Sequence, residues 1–256
     1  MIRALVLCAV LPALSACGNL GDRRQPIPTL SKPAVAASAR TPLVIVLPGR
    51  RDNVAVLSGR GVADAIQAAW PQAEVVLTSA TLDYYLDGGL ARRIHEQVVL
   101  PALAGGDRPF YLVGASMGGL GVLLYDQAYP GVADGLVLLA PFLGNARLLR
   151  EIESAGGIAA WQPGPSPQAV DRGNFQRELW RHLQTWPVSG RGDSVWLAWG
   201  DRDRLRRAVP VIAPLLPPEQ MLERAGGHAW TVWTPAAAEI FTRIAAHTGA
   251  DAKRPD

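Results

Sequence analysis

The stretch Phe110-Tyr-Leu-Val-Gly-Ala-Ser-Met-Gly-Gly119 places a serine between two apolar runs. The first run predicts a short strand, and the run from Leu120 to Tyr125 is compatible with a helix. A sharp turn between them would hold Ser116 in a strained backbone conformation, so the residues two positions before and after it must be small. Gly114 and Gly118 meet that requirement. The pattern therefore predicts a strand, a tight turn and a helix, with an exposed hydroxyl at the apex.

The chain around this stretch alternates predicted strands with segments of helical spacing. The predicted strands are 43–47, 73–78, 110–113, 135–140, 194–199 and 220–223. Such an alternation is typical of a mostly parallel central sheet with helices on both faces. With 256 residues, of which 49% are hydrophobic, the chain is long enough for one sizeable α/β domain.

Residues 141–191 interrupt the alternation. They are rich in glycine, proline and tryptophan, and only 174–183 has a clear helical pattern. The segment is too long for a simple connection. It predicts a cap-like insertion over the carboxyl-terminal edge of the sheet, whose aromatic residues either line a pocket or form a small core of their own.

The N-terminal residues 1–16 have a charged start and a short apolar run, which predict a signal peptide. Leu14-Ser-Ala-Cys17 resembles the lipobox of bacterial lipoproteins, and the alternative is an ordinary signal peptide with a chance cysteine. The resemblance implies cleavage before Cys17 and attachment of lipid, including palmitate, to that residue. Gly18 follows it, which by the usual sorting rule favours the periplasmic side of the outer membrane over the inner membrane of a bacterial cell envelope.

Between the predicted anchor and the folded body, residues 17–41 are rich in proline, serine and alanine and show no periodicity. They predict a flexible tether. The folded domain is then expected to occupy residues 42–256, with the insertion 141–191 inside it.

A serine hydroxyl needs a base and a third group that orients the base before it can act as a nucleophile. Of the four histidines, His228 follows two glycines between the last predicted strand and the last helix. The loop after the preceding strand offers two acids, Asp201 and Asp203. Because the carboxyl ends of parallel strands meet at one edge of a sheet, the three groups are expected to lie close together.

The order serine, acid, histidine at successive strand ends resembles that of the α/β-hydrolases, and the resemblance covers nearly all of 42–247. The acid loop of that family often has the pattern Gly-x-x-Asp, which matches Gly200 to Asp203 and favours Asp203 over Asp201. The resemblance implies a serine hydrolase that cleaves a carboxylic ester or thioester through an acyl-enzyme. Ser116, His228 and Asp203 would form its catalytic triad.

Acyl transfer also needs hydrogen-bond donors for the developing oxyanion. The resemblance implies two backbone N–H groups, that of Met117 and that of Arg50 in the loop after the first predicted strand. The family commonly has His-Gly-x in that loop, whereas this chain has Pro48-Gly49-Arg50. The side chains of Arg50 and Arg51 either reach an anionic substrate group or, as exposed arginines usually do, remain solvated or pair with acids.

Other function classes find little support in the sequence. Neither HExxH nor the GxxxxGK[ST] phosphate loop occurs, so we expect no metal and no cofactor. The net charge is only +3, and no basic stretch is interleaved with aromatics, so we expect no nucleic-acid partner. The expected partners are a small-molecule ester and a membrane. The alternatives are an acyltransferase or thioesterase on the same fold, and a non-catalytic envelope lipoprotein.

Overall fold

The computed structural model describes residues 21–37 and 40–251. The predicted signal peptide and Cys17 lie outside these residues. A seven-stranded sheet forms the centre, in the order β1-β3-β2-β4-β5-β6-β7, with β1 antiparallel to β3 and every other neighbouring pair parallel. The strands are β1 (Thr29–Lys32), β2 (Leu43–Leu47), β3 (Glu74–Thr78), β4 (Phe110–Ala115), β5 (Gly135–Leu139), β6 (Val195–Gly200) and β7 (Met221–Arg224). The predicted fold class is confirmed.

Helices cover both faces of this sheet. They are α1 (Val54–Gly59), α2 (Val62–Ala69), α3 (Leu90–Ile94), α4 (Leu100–Leu103), α5 (Met117–Ala128), α6 (Ala146–Ser154), α7 (Phe175–Leu183), α8 (Trp186–Ser189), α9 (Val209–Ile212) and α10 (Trp230–Asp251). A π-helical segment, His95–Val99, joins α3 to α4. Helices α1, α2 and α10 pack on one face, and α3 and α5 to α9 share the core on the other. All residues of β2 are buried, as expected for a central strand covered on both sides.

The insertion 141–191 contains the predicted helix, as α7, and two helices that were not predicted, α6 and α8. Helix α6 has nine residues and is capped by Asn145, whose side chain accepts the N–H groups of Arg147 and Leu148. Its buried residues are Leu148, Leu149 and Ile152, and their packing against the rest of the protein stabilises the helix. The insertion's aromatics Trp180 and Trp186 are fully buried in the core on the α5 side, which supports the core alternative for these residues.

A buried ion pair connects the insertion to α5. Asp126 on α5 is 2% exposed, and its carboxylate lies 2.9 Å from Nε2 of His182 on α7 and 2.8 Å from Nε of Arg191. A carboxylate at this depth requires such partners, because an unpaired buried charge is strongly destabilising. The ion pair therefore holds the insertion against the helix that follows Ser116.

The prediction of a flexible tether for 17–41 is wrong for residues 29–32, which form β1. This strand pairs antiparallel with β3, from Thr29 opposite Thr78 to Lys32 opposite Val75. The pattern gave no signal because β1 is an edge strand with mostly exposed side chains, so backbone hydrogen bonds rather than burial hold it. Ile27 is buried just before it.

The predicted strand, turn and helix around the serine are present, but the prediction of an exposed hydroxyl is wrong, because Ser116 is only 8% exposed. Strand β4 ends at Ala115, α5 begins at Met117, and Ser116 between them has φ = 55°. A positive φ is strained for a residue with a Cβ. The turn also brings backbones together: a Cβ on Gly114 would lie 2.2 Å from the carbonyl oxygen of Gly118. The small residues are required because backbone atoms occupy the space that a side chain would need.

We therefore expect Gly114→Ala to lower the free energy of unfolding by about 1–3 kcal/mol, as overpacking against rigid atoms does. Gly105→Ala is the matched control, since a Cβ there has nothing within 4 Å. Urea denaturation of both variants and the wild type measures the difference. Equal stability of the two variants would contradict this description of the turn.

Candidate active site

Three side chains from the carboxyl ends of β4, β6 and β7 form a continuous hydrogen-bonded chain. His228 Nε2 lies 2.8 Å from Ser116 Oγ. His228 Nδ1 lies 2.9 and 2.8 Å from the two carboxylate oxygens of Asp203. The structure thus brings together the serine, the histidine and the preferred aspartate that the sequence singled out.

Hydrogen bonds within the acid loop, residues 200–205, fix the position of Asp203 next to His228. Asp203 is 2% exposed, and its Oδ1 also accepts the backbone N–H of Leu205 at 2.8 Å. Its own N–H donates to the carbonyl of Gly200 at 2.9 Å, which closes a tight turn after β6. Asp201 has a different partner: it accepts the N–H of Gly226 at 2.7 Å. Asp201 therefore connects the acid loop to the histidine loop, and Asp203 contacts the imidazole.

The imidazole of His228 is oriented from two sides. Its ring packs edge-on against Trp233, with centroids 4.7 Å apart and planes at 86°. With the Asp203 carboxylate at Nδ1, the Nδ1–H tautomer is the one consistent with the partners, since a carboxylate accepts and does not donate. Nε2 is then free to accept the hydrogen of Ser116 Oγ–H. In this geometry His228 can act as the base that accepts the proton of Ser116 Oγ.

The two candidate oxyanion donors have no acceptor within the described part of the chain: neither the N–H of Met117 nor that of Arg50 donates a hydrogen bond there. Met117 directly follows Ser116 at the start of α5. The loop after β2 adjoins the same turn, because a Cβ on Gly49 would lie 3.7 Å from the carbonyl oxygen of Ala115. Unpaired N–H groups next to a candidate nucleophile can donate hydrogen bonds to a substrate's carbonyl oxygen and stabilise the negative charge that develops on it.

A tyrosine from the loop after β3 supports this turn. Tyr85 Oη donates to the carbonyl of Met117 at 3.0 Å. Burial raises the pKa of Tyr85 above its ordinary value, so its hydroxyl stays protonated and remains a donor. Its neighbour Tyr84 instead bonds to the carbonyls of Gln25 and Pro26, away from the turn. Of these two tyrosines, it is Tyr85 that contacts the serine turn.

One contact between the loop after β2 and the histidine loop was not predicted from the sequence. Asp52, in the loop that carries Arg50, accepts the indole N–H of Trp230 at 2.8 Å, and the N–H of Asp52 donates to the carbonyl of Gly49. Asp52 and Trp230 are 178 positions apart in the sequence. Trp230 begins α10 just after His228, so this bond ties the loop after β2 to the histidine loop.

The other three histidines make structural contacts. His95 Nδ1 lies 3.0 Å from Tyr125 Oη, His182 contacts Asp126, and His247 bonds to the carbonyl of Arg243. Over residues 21–37 and 40–251, no group of three or more histidine, cysteine, aspartate or glutamate residues has the arrangement of a metal site. No helix in the same ranges is both long and apolar enough to span a membrane.

Comparison with known proteins gives a match at the level of structure only. No protein-family model matches the chain, and no curated protein matches it by sequence. Est1E from Butyrivibrio proteoclasticus is similar in structure with a TM-score of 0.60 and 15% identity, over 88% of this chain and 95% of that one. A ferulic acid esterase has a TM-score of 0.59 and 16% identity, over 86% and 98%.

A third similar structure is FphF, a fluorophosphonate-binding serine hydrolase of Staphylococcus aureus. It has a TM-score of 0.58 and 11% identity, over 86% of this chain and 99% of that one. At such identities the likeness concerns the fold and not the substrate. Together with the sheet order and the serine turn, it shows that this chain has the α/β-hydrolase fold.

Proposed function

We propose that the protein is a serine hydrolase that cleaves a carboxylic ester or thioester. The observation that carries the proposal is the hydrogen-bonded chain from Ser116 Oγ through His228 to the buried Asp203. This arrangement makes a serine hydroxyl nucleophilic at neutral pH. The fold supports it, because all three groups project from the edge of the sheet where ligands of α/β proteins bind.

In the proposed reaction, Ser116 Oγ attacks the carbonyl carbon while its proton passes to Nε2 of His228. The Asp203 carboxylate stabilises the imidazolium that forms. The carbonyl oxygen becomes an oxyanion, which accepts hydrogen bonds from the N–H groups of Met117 and Arg50. Collapse of this intermediate expels the alcohol or thiol, which takes the proton from His228 and leaves an acyl-enzyme.

Water completes the cycle. His228 removes a proton from a water molecule, the resulting hydroxide attacks the acyl-enzyme, and Ser116 leaves with the proton from Nε2. An acyltransferase would use an alcohol or an amine in place of water at this step. Product analysis with added alcohol acceptors separates the two outcomes: free acid supports hydrolysis, and a new ester as the main product contradicts it.

The two aspartates of the acid loop provide a matched test. With a chromogenic short-chain ester, we expect Ser116→Ala to reduce turnover to the background rate and Asp203→Asn to lower kcat by roughly 10³–10⁴-fold. Asp201→Asn should stay close to the wild type, because its side-chain oxygen can still accept the N–H of Gly226. Full activity of a folded Ser116→Ala variant, or equal losses for the two aspartate variants, would contradict the assignment.

We also propose that the mature protein is anchored to the membrane of a bacterial cell envelope through lipid on Cys17, on the periplasmic side of the outer membrane. The support is the lipobox-like Leu14-Ser-Ala-Cys17 after a short apolar run. Several acyl chains on one residue give firm anchoring.

Fractionation of cells that produce the full chain tests the anchor. Cys17→Ser should abolish incorporation of labelled palmitate and shift the protein from the membrane pellet to the soluble fraction. Cys8→Ser, which alters the other cysteine of the chain, should change neither. Unaltered processing and membrane association of Cys17→Ser would contradict the lipoprotein assignment.

A further inference from the structure

The loops on either side of the serine turn are unusually rich in arginine. The loop after β2 and the loop after β6 together contain six arginines and three aspartates. Arg50 and Arg51 are in the first loop, and Arg202, Arg204, Arg206 and Arg207 are in and just after the second. All six side chains are exposed.

The three aspartates of these loops are already engaged by other groups. Asp203 contacts His228, Asp201 accepts the N–H of Gly226, and Asp52 accepts the indole N–H of Trp230. Each carboxylate thus accepts hydrogen bonds that hold the loops together. Arg50, Arg202, Arg204, Arg206 and Arg207 form the arginine rim, and none of the three aspartates forms an ion pair with these five among the described residues.

Arginines elsewhere in the protein commonly have acidic partners. Arg40 pairs with Asp107, for example, and Arg108 pairs with Glu74. By contrast, no described carboxylate forms an ion pair with Arg50, Arg202, Arg204, Arg206 or Arg207. Positive charge without a protein partner is therefore concentrated at the edge of the sheet that carries Ser116.

The sheet order places these charges around the reacting group. Strand β2 is the neighbour of β4, and β6 lies beyond β5 on the other side. With about 4.8 Å between neighbouring strands, β2 and β6 are about 14 Å apart, and Ser116 lies between their loops. Arg206 also lines a small apolar cavity with Pro141 and Trp199, which places part of the rim beside the start of the insertion.

We propose that this arginine rim selects esters that carry an anionic group, a carboxylate or a phosphate, near the scissile bond. The proposal deepens the hydrolase assignment and rests on it. A guanidinium matches both anions with paired hydrogen bonds. Several like charges near one site also raise the local concentration of an oppositely charged substrate and its rate of association.

Two esters that differ in charge test the rim: 4-nitrophenyl butyrate, which is neutral, and the 4-nitrophenyl monoester of glutaric acid, which is anionic. After subtraction of spontaneous hydrolysis, we expect the wild type to prefer the anionic ester in kcat/KM by about tenfold or more at low salt. The preference should fall towards one at about 0.5 M salt, because salt screens interactions between exposed charges.

The variants Arg202→Gln/Arg204→Gln and Arg206→Gln/Arg207→Gln should keep the activity on the neutral ester and lose most of the preference, chiefly through a higher KM for the anionic one. Arg40→Gln is the control: its side chain is exposed and lies before β2, at the opposite edge of the sheet. It should retain the full preference. Circular dichroism verifies that each variant is folded.

A binding measurement separates this proposal from the hydrolase assignment. Ser116→Ala should bind the glutarate monoester more tightly than the butyrate ester in calorimetry, whether or not Ser116 is the nucleophile. Equal binding of the two esters by Ser116→Ala would overturn the rim proposal. So would a wild type without a charge preference, or a preference that survives in both double variants. Absence of hydrolysis of both esters, with anion-selective binding intact, would overturn the hydrolase assignment alone.

Discussion

The close contact of backbones at the serine turn is the constraint on which the site depends. Strand β4 passes into α5 within a single residue, so the Gly114 and Gly118 backbones meet at a distance that excludes a Cβ, and Ser116 takes a positive φ. Strain of this kind persists only where surrounding structure enforces it. Here the sheet on one side and the packed helix α5 on the other enforce it, and the result is a hydroxyl held at the carboxyl-terminal edge of the sheet, on a residue that is 8% exposed.

The remaining parts of the site follow from the parallel sheet. Each successive parallel strand ends at the same edge, so the loops after β4, β6 and β7 deliver the serine, the aspartate and the histidine to one place. Hydrogen bonds between the loops then fix their mutual positions. Asp201 joins the acid loop to Gly226, and Asp52 joins the loop after β2 to Trp230. The loops after β2 and β6 carry six arginines and three aspartates, so this part of the surface keeps a net positive charge.

The parts of this arrangement with strong local signals could be predicted from the sequence. The all-apolar runs predict buried central strands, and the small residues around Ser116 predict a tight turn between a strand and a helix. Strand β1 could not be predicted, because its pairing uses backbone groups and its side chains stay exposed. Helix α6 is as long as the predicted α7, and Leu148, Leu149 and Ile152 lie at helical spacing after the capping residue Asn145, so the sequence did carry a signal for it. The bond between Asp52 and Trp230 joins residues 178 positions apart, and only the folded chain reveals it.

The central claim is that Ser116 is a nucleophile activated by His228 and Asp203. Reaction with a fluorophosphonate, followed by mass spectrometry of the intact protein and its peptides, measures this directly, because the reagent attaches to activated serines. We expect one adduct per chain, located on Ser116, and a greatly slowed reaction in a folded His228→Ala variant. Absence of an adduct on Ser116, or an undiminished rate in that variant, would contradict the account.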